Sequence, residues 1–165
     1  MPKPRVLLMG TPAFAVPGLT GLVKHGYPVI GVVTQPDRPQ GRGRATAPSP
    51  VKLLADDLGL TVFQPEKVRH PSFLSAFRDL APDLVVVAAF GQILPKEIIL
   101  GPRLGCINIH PSLLPKYRGA APINWALYHG ETETGVTVIH MTPKVDAGPC
   151  IAQAVTLIDP EETAV

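Results

Sequence analysis

Cysteine is scarce in this chain. There are two, Cys106 and Cys150, without Cys-x-x-Cys spacing and each among apolar neighbours. That argues against a disulfide framework or a thiolate metal site and for free thiols in a reducing compartment. Charge is also thin, at 17% of residues with a formal net charge of +2, so any nucleic-acid contact has to come from a local patch. Long apolar runs are missing: the longest, Leu84-Val85-Val86-Val87-Ala88-Ala89-Phe90, falls well below the ~20 residues of a membrane span. The apolar stretch in the opening MPKPRVLLMG is too short for a signal peptide and reads as a first strand. A cytoplasmic protein without a membrane partner is expected. Familiar motifs are absent as well. Gly10-Thr11-Pro12 follows the first strand, but Gly-x-Gly-x-x-Gly and the Walker pattern are lacking and Pro12 removes an N–H, so a tight turn is expected there rather than a phosphate cradle, and no nicotinamide nucleotide. No serine has a Gly-x-Ser-x-Gly context, and no His/Cys/Asp cluster has metal spacing, so no metal is expected.

What is present reads as one α/β domain across all 165 residues, 45% of them hydrophobic. Strands are predicted at Val6–Met9, Val29–Thr34, near Val62, and at Leu84–Ala88, Cys106–Ile109, Val136–His140 and Ile151–Thr156. Helices are predicted at Val16–His25, Pro50–Leu58, Pro71–Leu80 and Pro122–His129, the second opening with Ser49 as N-cap and Pro50 at N1. This alternation predicts a doubly wound, mostly parallel sheet with helices on both faces. The twenty prolines fall mostly at element starts or in loops, where they stiffen connections. Asp159-Pro160-Glu161-Glu162 supplies an N-cap, a proline at N1 and a glutamate at N3. A helix should start there, which reads as a domain cut short at its C-terminal end.

Three stretches are candidates for chemistry. In Cys106-Ile107-Asn108-Ile109-His110, strand alternation puts Asn108 and His110 on one face, about 6.5–7 Å apart. A solvated strand end would explain them. However, Ile107 and Ile109 are expected to commit the opposite face to packing, Pro111 ends the strand, and open α/β sheets place ligands at such edges. The segment Thr34 to Lys52 is long for a connection and sets Arg38, Arg42, Arg44 and Lys52 against Asp37 alone. It is either a solvated mobile loop or an arm that meets phosphates. Asp146, flanked by Ala147 and Gly148, is either a turn former or a carboxylate brought to the same sheet edge as His110, where it would orient the imidazole and favour its protonated form. An Asn, a His and an Asp without a nucleophile suit direct attack of a substrate amine on an activated carbonyl. Trp125 and Ile123 are expected in the core.

INIHPSLLPKYRG and ETETGVTVIHMTPKVDAGPCIAQ, with an Asp thirty-six positions beyond the His, resemble the formyltransferases that use 10-formyltetrahydrofolate. Within that family GTPAFAVP, TQPDRPQGRGR, PSPVK and RGAAPINWAL are similar to the branch whose acceptor is methionyl initiator tRNA. The resemblance implies a Rossmann-like formyltransferase fold, with Asn108, His110 and Asp146 as the catalytic trio. It also implies Ser112, Leu113, Leu114 and Pro115 as a folate-contacting loop. Arg42, with Arg38 and Arg44, would lie in the segment that engages the tRNA. The folate is then a cosubstrate, the protein a monomer, and a basic C-terminal β-barrel of the family lies outside this chain. Formyltransferases acting on an amino-sugar nucleotide or glycinamide ribonucleotide share the trio and remain alternatives, as does a folate-binding module without turnover.

Overall fold

The structure, a computed structural model, describes residues 2–40 and 45–164, which divide into two compact units, Met1–Cys106 and Ile107–Val165. In the first, β1 (Val6–Gly10) lies between β2 (Val29–Val33) and β6 (Leu84–Ala88), and β5 (Val62–Phe63) borders β2. All these pairings are parallel. Every residue of β1 is buried. A central parallel strand is covered on both faces, so its run is continuously apolar rather than alternating. Gly10 ends it because a Cβ there would stand 2.6 Å from the Ala15 Cβ and 3.0 Å from the Ala88 carbonyl oxygen. The predicted tight turn follows, as one 3-10 turn at Ala13–Ala15 leading into α1 (Val16–Lys24).

Helix α2 (Pro50–Asp57) starts as predicted, with the Ser49 side chain accepting from the Lys52 backbone N–H. Ser49 also shares a 2.7 Å hydrogen bond with the buried Thr34 hydroxyl. Helix α3 (Pro71–Leu80) occupies the predicted span, with His70 as its cap. A fifth helix, α4 (Lys96–Leu100), was not predicted, because five residues carry too little periodicity to read. The basic segment also departs from a mobile loop. β3 (Arg38–Gln40) pairs antiparallel with β4 (Ala45–Ala47) as a separate ribbon, while Arg42 and Arg44 lie outside the described residues. Its base is clasped by Asp37, which accepts from Lys52 Nζ at 2.5 Å and Gln64 Nε2 at 2.7 Å.

The second unit holds β7 (Cys106–His110, all but its first residue), α5 (Pro122–Tyr128), β8 (Glu133–His140) and β9 (Cys150–Leu157). Both of its pairings are antiparallel, with His110 opposite Thr137 and Val138 opposite Ala152. The fold is the expected α/β class, but the parallel pattern does not run to its last strands. A seven-residue helix spans only about 10 Å, so α5 is short cover for a parallel crossover. Every residue of β9 is exposed. Beyond it, Asp159 and Glu162 form the predicted capping box: Asp159 Oδ1 accepts from Glu161 N–H, and Glu162 Oε2 accepts from Asp159 N–H. The expected helix does not follow: Pro160 and Glu161 form a turn, and residues 162–164 carry no regular structure.

Candidate functional site

Alternation along β7 puts Cys106, Asn108 and His110 on one face and Ile107 and Ile109 on the other. The isoleucine face is less covered than expected. Cys106 and His110 are buried, His110 with 4% of its surface exposed, while both isoleucines are half-buried. Burial pushes the Cys106 thiol up to about 12, so it stays protonated and contributes no nucleophile.

His110 Nε2 lies 2.8 Å from the Tyr117 carbonyl oxygen. A carbonyl only accepts, so Nε2 carries the hydrogen and Nδ1 is the atom that faces Asp146 Oδ2, at 3.4 Å. The Asp146 carboxylate does three things. Its Oδ1 accepts from Asn108 Nδ2 at 3.2 Å, its Oδ2 accepts from the Gly119 N–H at 2.9 Å, and it stands beside the imidazole. Asn108, His110 and Asp146 are therefore brought together, with the aspartate as the bridge.

The route by which Asp146 arrives differs from expectation. β8 runs antiparallel to β7, and His140 lies opposite Ile107, so the following loop leaves at the far end of β7 from His110. Asp146 is six residues past His140. At ~3.3 Å per residue the chain can recross the ~10 Å between Ile107 and His110 with length to spare. The loop is pinned at its base, where His140 N–H donates to the Pro149 carbonyl at 2.9 Å. Gly148 permits that closure, since a Cβ there would fall 1.7 Å from the His140 carbonyl oxygen. Tyr117 (φ 58°), Ala121 (φ 53°) and Asp146 (φ 44°) all hold left-handed backbone. Such conformations cost about 1–3 kcal/mol each for residues of this kind and cluster where surrounding contacts enforce a geometry.

The loop Ser112–Pro115 is set by groups the sequence did not single out. Thr137, buried on β8, donates to the Ser112 carbonyl at 2.7 Å and accepts from the Leu114 N–H at 3.1 Å. Gln153 Nε2 donates to the Leu114 carbonyl and to Thr137 Oγ1, both at 2.9 Å. The Ser112 side chain is wholly buried, and its hydroxyl donates to the Lys116 carbonyl at 2.7 Å, so it shapes the turn. Leu113 and Leu114 are half-buried and Pro115 is exposed. Trp125, expected in the core, is 48% exposed, and Ile123 is half-buried. The short α5 turns only Pro122 and Ala126 fully inward. In the first unit, Arg38 pairs with Glu66 at 3.2 Å, both side chains mostly exposed. Among the described residues no cluster of three His, Cys, Asp or Glu is placed to hold a metal ion, and no helix is long and apolar enough to cross a membrane.

Comparison with known proteins adds to this geometry. A model of the formyl transferase family matches residues 3–165. The chain is 56% identical to the methionyl-tRNA formyltransferase of Syntrophus aciditrophicus, over 98% of this chain and 52% of that protein. It is 55% identical to the methionyl-tRNA formyltransferase of Geobacter metallireducens, over 96% and 51%. The chain thus spans about half the length of the curated relatives it matches. Among solved structures, phosphoribosylglycinamide formyltransferase from Anaplasma phagocytophilum superposes with a TM-score of 0.78 at 26% identity, covering 98% of this chain and 76% of that one.

Proposed function

The chain belongs to the formyl transferase family, and from that premise we propose that it serves transfer of a formyl group from 10-formyltetrahydrofolate to the amino group of methionyl initiator tRNA, ahead of translation initiation in the cytoplasm. The observation that carries this reading is the Asp146 bridge between Asn108 and His110. The methionyl amine attacks the formyl carbon, and the carbonyl electrons move onto oxygen. Asn108 spends one amide hydrogen on Asp146, so the other is free to donate to that oxyanion. His110 Nδ1 takes the proton shed by the attacking amine, and the cation so formed stands against the Asp146 carboxylate. The proton then passes to the departing folate nitrogen as the carbon–nitrogen bond breaks, so protons and charge balance.

Around this centre, Leu113, Leu114 and Pro115 supply an apolar rim for the folate, and Ser112 holds their turn. Arg38, Arg42 and Arg44 meet tRNA phosphates. The exposed Arg38–Glu66 pair is worth at most about 1 kcal/mol, so exchanging Glu66 for a phosphate costs little. Relatives sharing more than half their aligned residues support the tRNA acceptor over a small one.

The test is formyl transfer by the full-length protein to methionyl-tRNA, beside glycinamide ribonucleotide and an amino-sugar nucleotide. His110→Ala and Asn108→Ala should each slow transfer by about 10²–10³. Replacing Arg38, Arg42 and Arg44 by Ala should cripple transfer to tRNA and flatten its salt dependence by ~0.7–0.9 log units for each phosphate left without its arginine. Preference for a small acceptor, or full tRNA activity in the arm variants, would overturn the tRNA reading.

A further inference from the structure

An aromatic ledge stands beside the trio with no part in the chemistry above. The Tyr117 ring stacks on His129 with centroids 5.8 Å apart and planes 18° apart, and His129 stacks in turn on Trp125 at 5.9 Å and 26°. Tyr128 meets both Trp125 and His129 edge-on, at 5.7 and 5.3 Å. Trp125, Tyr128 and His129 recur at the three- and four-residue spacing that puts side chains on one side of a helix. Trp125 is 48% and Tyr128 78% exposed. A shallow depression of about 720 Å³, lined by Ala121, Asn124, Trp125 and Tyr128, opens beside them.

We propose that this ledge is a stacking platform for the unpaired 3′-terminal nucleotides of an RNA acceptor, a binding site that deepens the function proposed above and rests on it. Three observations point to this occupant. The exposed rings belong to tyrosine, tryptophan and histidine, which combine a stacking face with a polar edge. Stacked already in a column with planes 18° and 26° apart, they offer a base a further flat face, on which it stacks for ~1–3 kcal/mol. The adjoining charge favours phosphate. Arg118 is exposed and makes no hydrogen bond or ion pair among the described residues, while the acid at the ledge, Glu131, is already met by the Tyr117 hydroxyl at 2.6 Å and by Lys116 Nζ at 2.9 Å. Position is the third. Tyr117 carries one end of the ring column, and its own carbonyl holds His110 Nε2 at 2.8 Å. A terminal nucleotide held on these rings brings the amino acid esterified to it close to Asn108 and His110. Bases stack without regard to identity, so the ledge holds the single-stranded end and leaves recognition of the particular tRNA to other contacts.

Trp125 is the one tryptophan in this chain and reports on its own site. In the full-length protein, its emission is isolated as the difference between wild type and Trp125→Phe. It should be quenched by intact methionyl-tRNA and left unchanged by the same tRNA trimmed of its unpaired 3′ nucleotides. Trp125→Leu and Tyr128→Ala should raise KM for methionyl-tRNA about 5- to 150-fold, with kcat and folate affinity little changed. Formylated tRNA with no quenching, or unchanged KM in both variants, overturns the ledge and leaves the proposed function standing. A Trp125 signal already shielded from small aqueous quenchers in the free protein overturns it too, because another protein surface then covers the ring. If wild type transfers formyl to a small acceptor and not to tRNA, the functional reading fails first and the ledge with it.

Discussion

Asp146 holds left-handed backbone, φ 44°, and spends both carboxylate oxygens on Asn108, Gly119 and the edge of His110. Asparagine tolerates that conformation as well as aspartate does, so Asp146→Asn keeps the backbone and the size while removing the charge and turning one acceptor into a donor. The expected outcome is a protein destabilised by about 1–3 kcal/mol by denaturant titration, because the new amide NH2 faces a donor, the Gly119 N–H or the Asn108 amide. Its transfer rate should be lower by ~10²–10³ in steady-state kinetics. An Asp146→Asn enzyme with near-normal turnover would show that the imidazolium needs no carboxylate beside it. Sequence reading reached all three members of this group from spacing and resemblance. It did not reach Tyr117, Gly119, Thr137 or Gln153, because they act through backbone carbonyls, a backbone N–H or buried hydroxyl contacts that leave no motif. Thr137 makes the point most plainly. On β8 the buried positions are Gly135, Thr137 and Ile139, while Val136 and Val138 are half-buried, so hydropathy alternation alone would have turned the strand the wrong way.

The loop between β8 and β9 is the element on which the site depends, and Gly148 is where it closes. A methyl group there would sit 1.7 Å from the His140 carbonyl oxygen, a clash with backbone that no rotamer change relieves. Gly148→Ala should therefore destabilise by about 1–3 kcal/mol or more, and should lower the transfer rate as severely as loss of Asp146, since the loop that delivers the carboxylate must move. Calorimetry and transfer kinetics on one preparation check both. A variant that loses stability but keeps its rate would mean that Asp146 reaches Asn108 without the closure seen here. Elements with their own local signals were legible. Ser49-Pro50 marks the start of α2, and the Asp159–Glu162 capping box forms as its residue types dictate. The β3–β4 ribbon and α4 were not, being too short for periodicity to register.

Across the molecule, acid stability should follow three carboxylates held below their usual range. Asp37 is lowered by hydrogen bonds from Lys52 and then Gln64. Asp83 is lowered by the Arg5 backbone N–H and then by the Arg103 charge. Glu131 is lowered by the Tyr117 hydroxyl and then Lys116. A depressed folded value means that the unfolded chain binds the proton first as pH falls. Their contribution is therefore whole above the ordinary values, 3.8 for the aspartates and 4.5 for Glu131, and is lost as pH drops through the depressed ones. Thermal melts should hold level through neutral pH and decline once pH passes below about 4.5. Asp37→Asn should melt lower than wild type at pH 7 and converge with it in acid. Parallel curves at every pH would remove Asp37 from this account.

By itself the sequence determined the α/β class, most strand and helix positions, the capped start of α2 and the placing of Asn108 and His110 on one strand face, while Asp146 joined them through the family resemblance. These are local in origin: periodicity, caps and short spacings act over a few residues, and the spacing from strand to loop is written in the chain. Tertiary structure alone decided the antiparallel pairing of β7, β8 and β9, the burial of Ser112 and His110, and the exposure of Trp125. It also decided the path by which Asp146 recrosses β7. Strand direction and burial depend on which distant segment supplies the partner, and that choice is made by packing between residues far apart in the chain, where no local pattern records it.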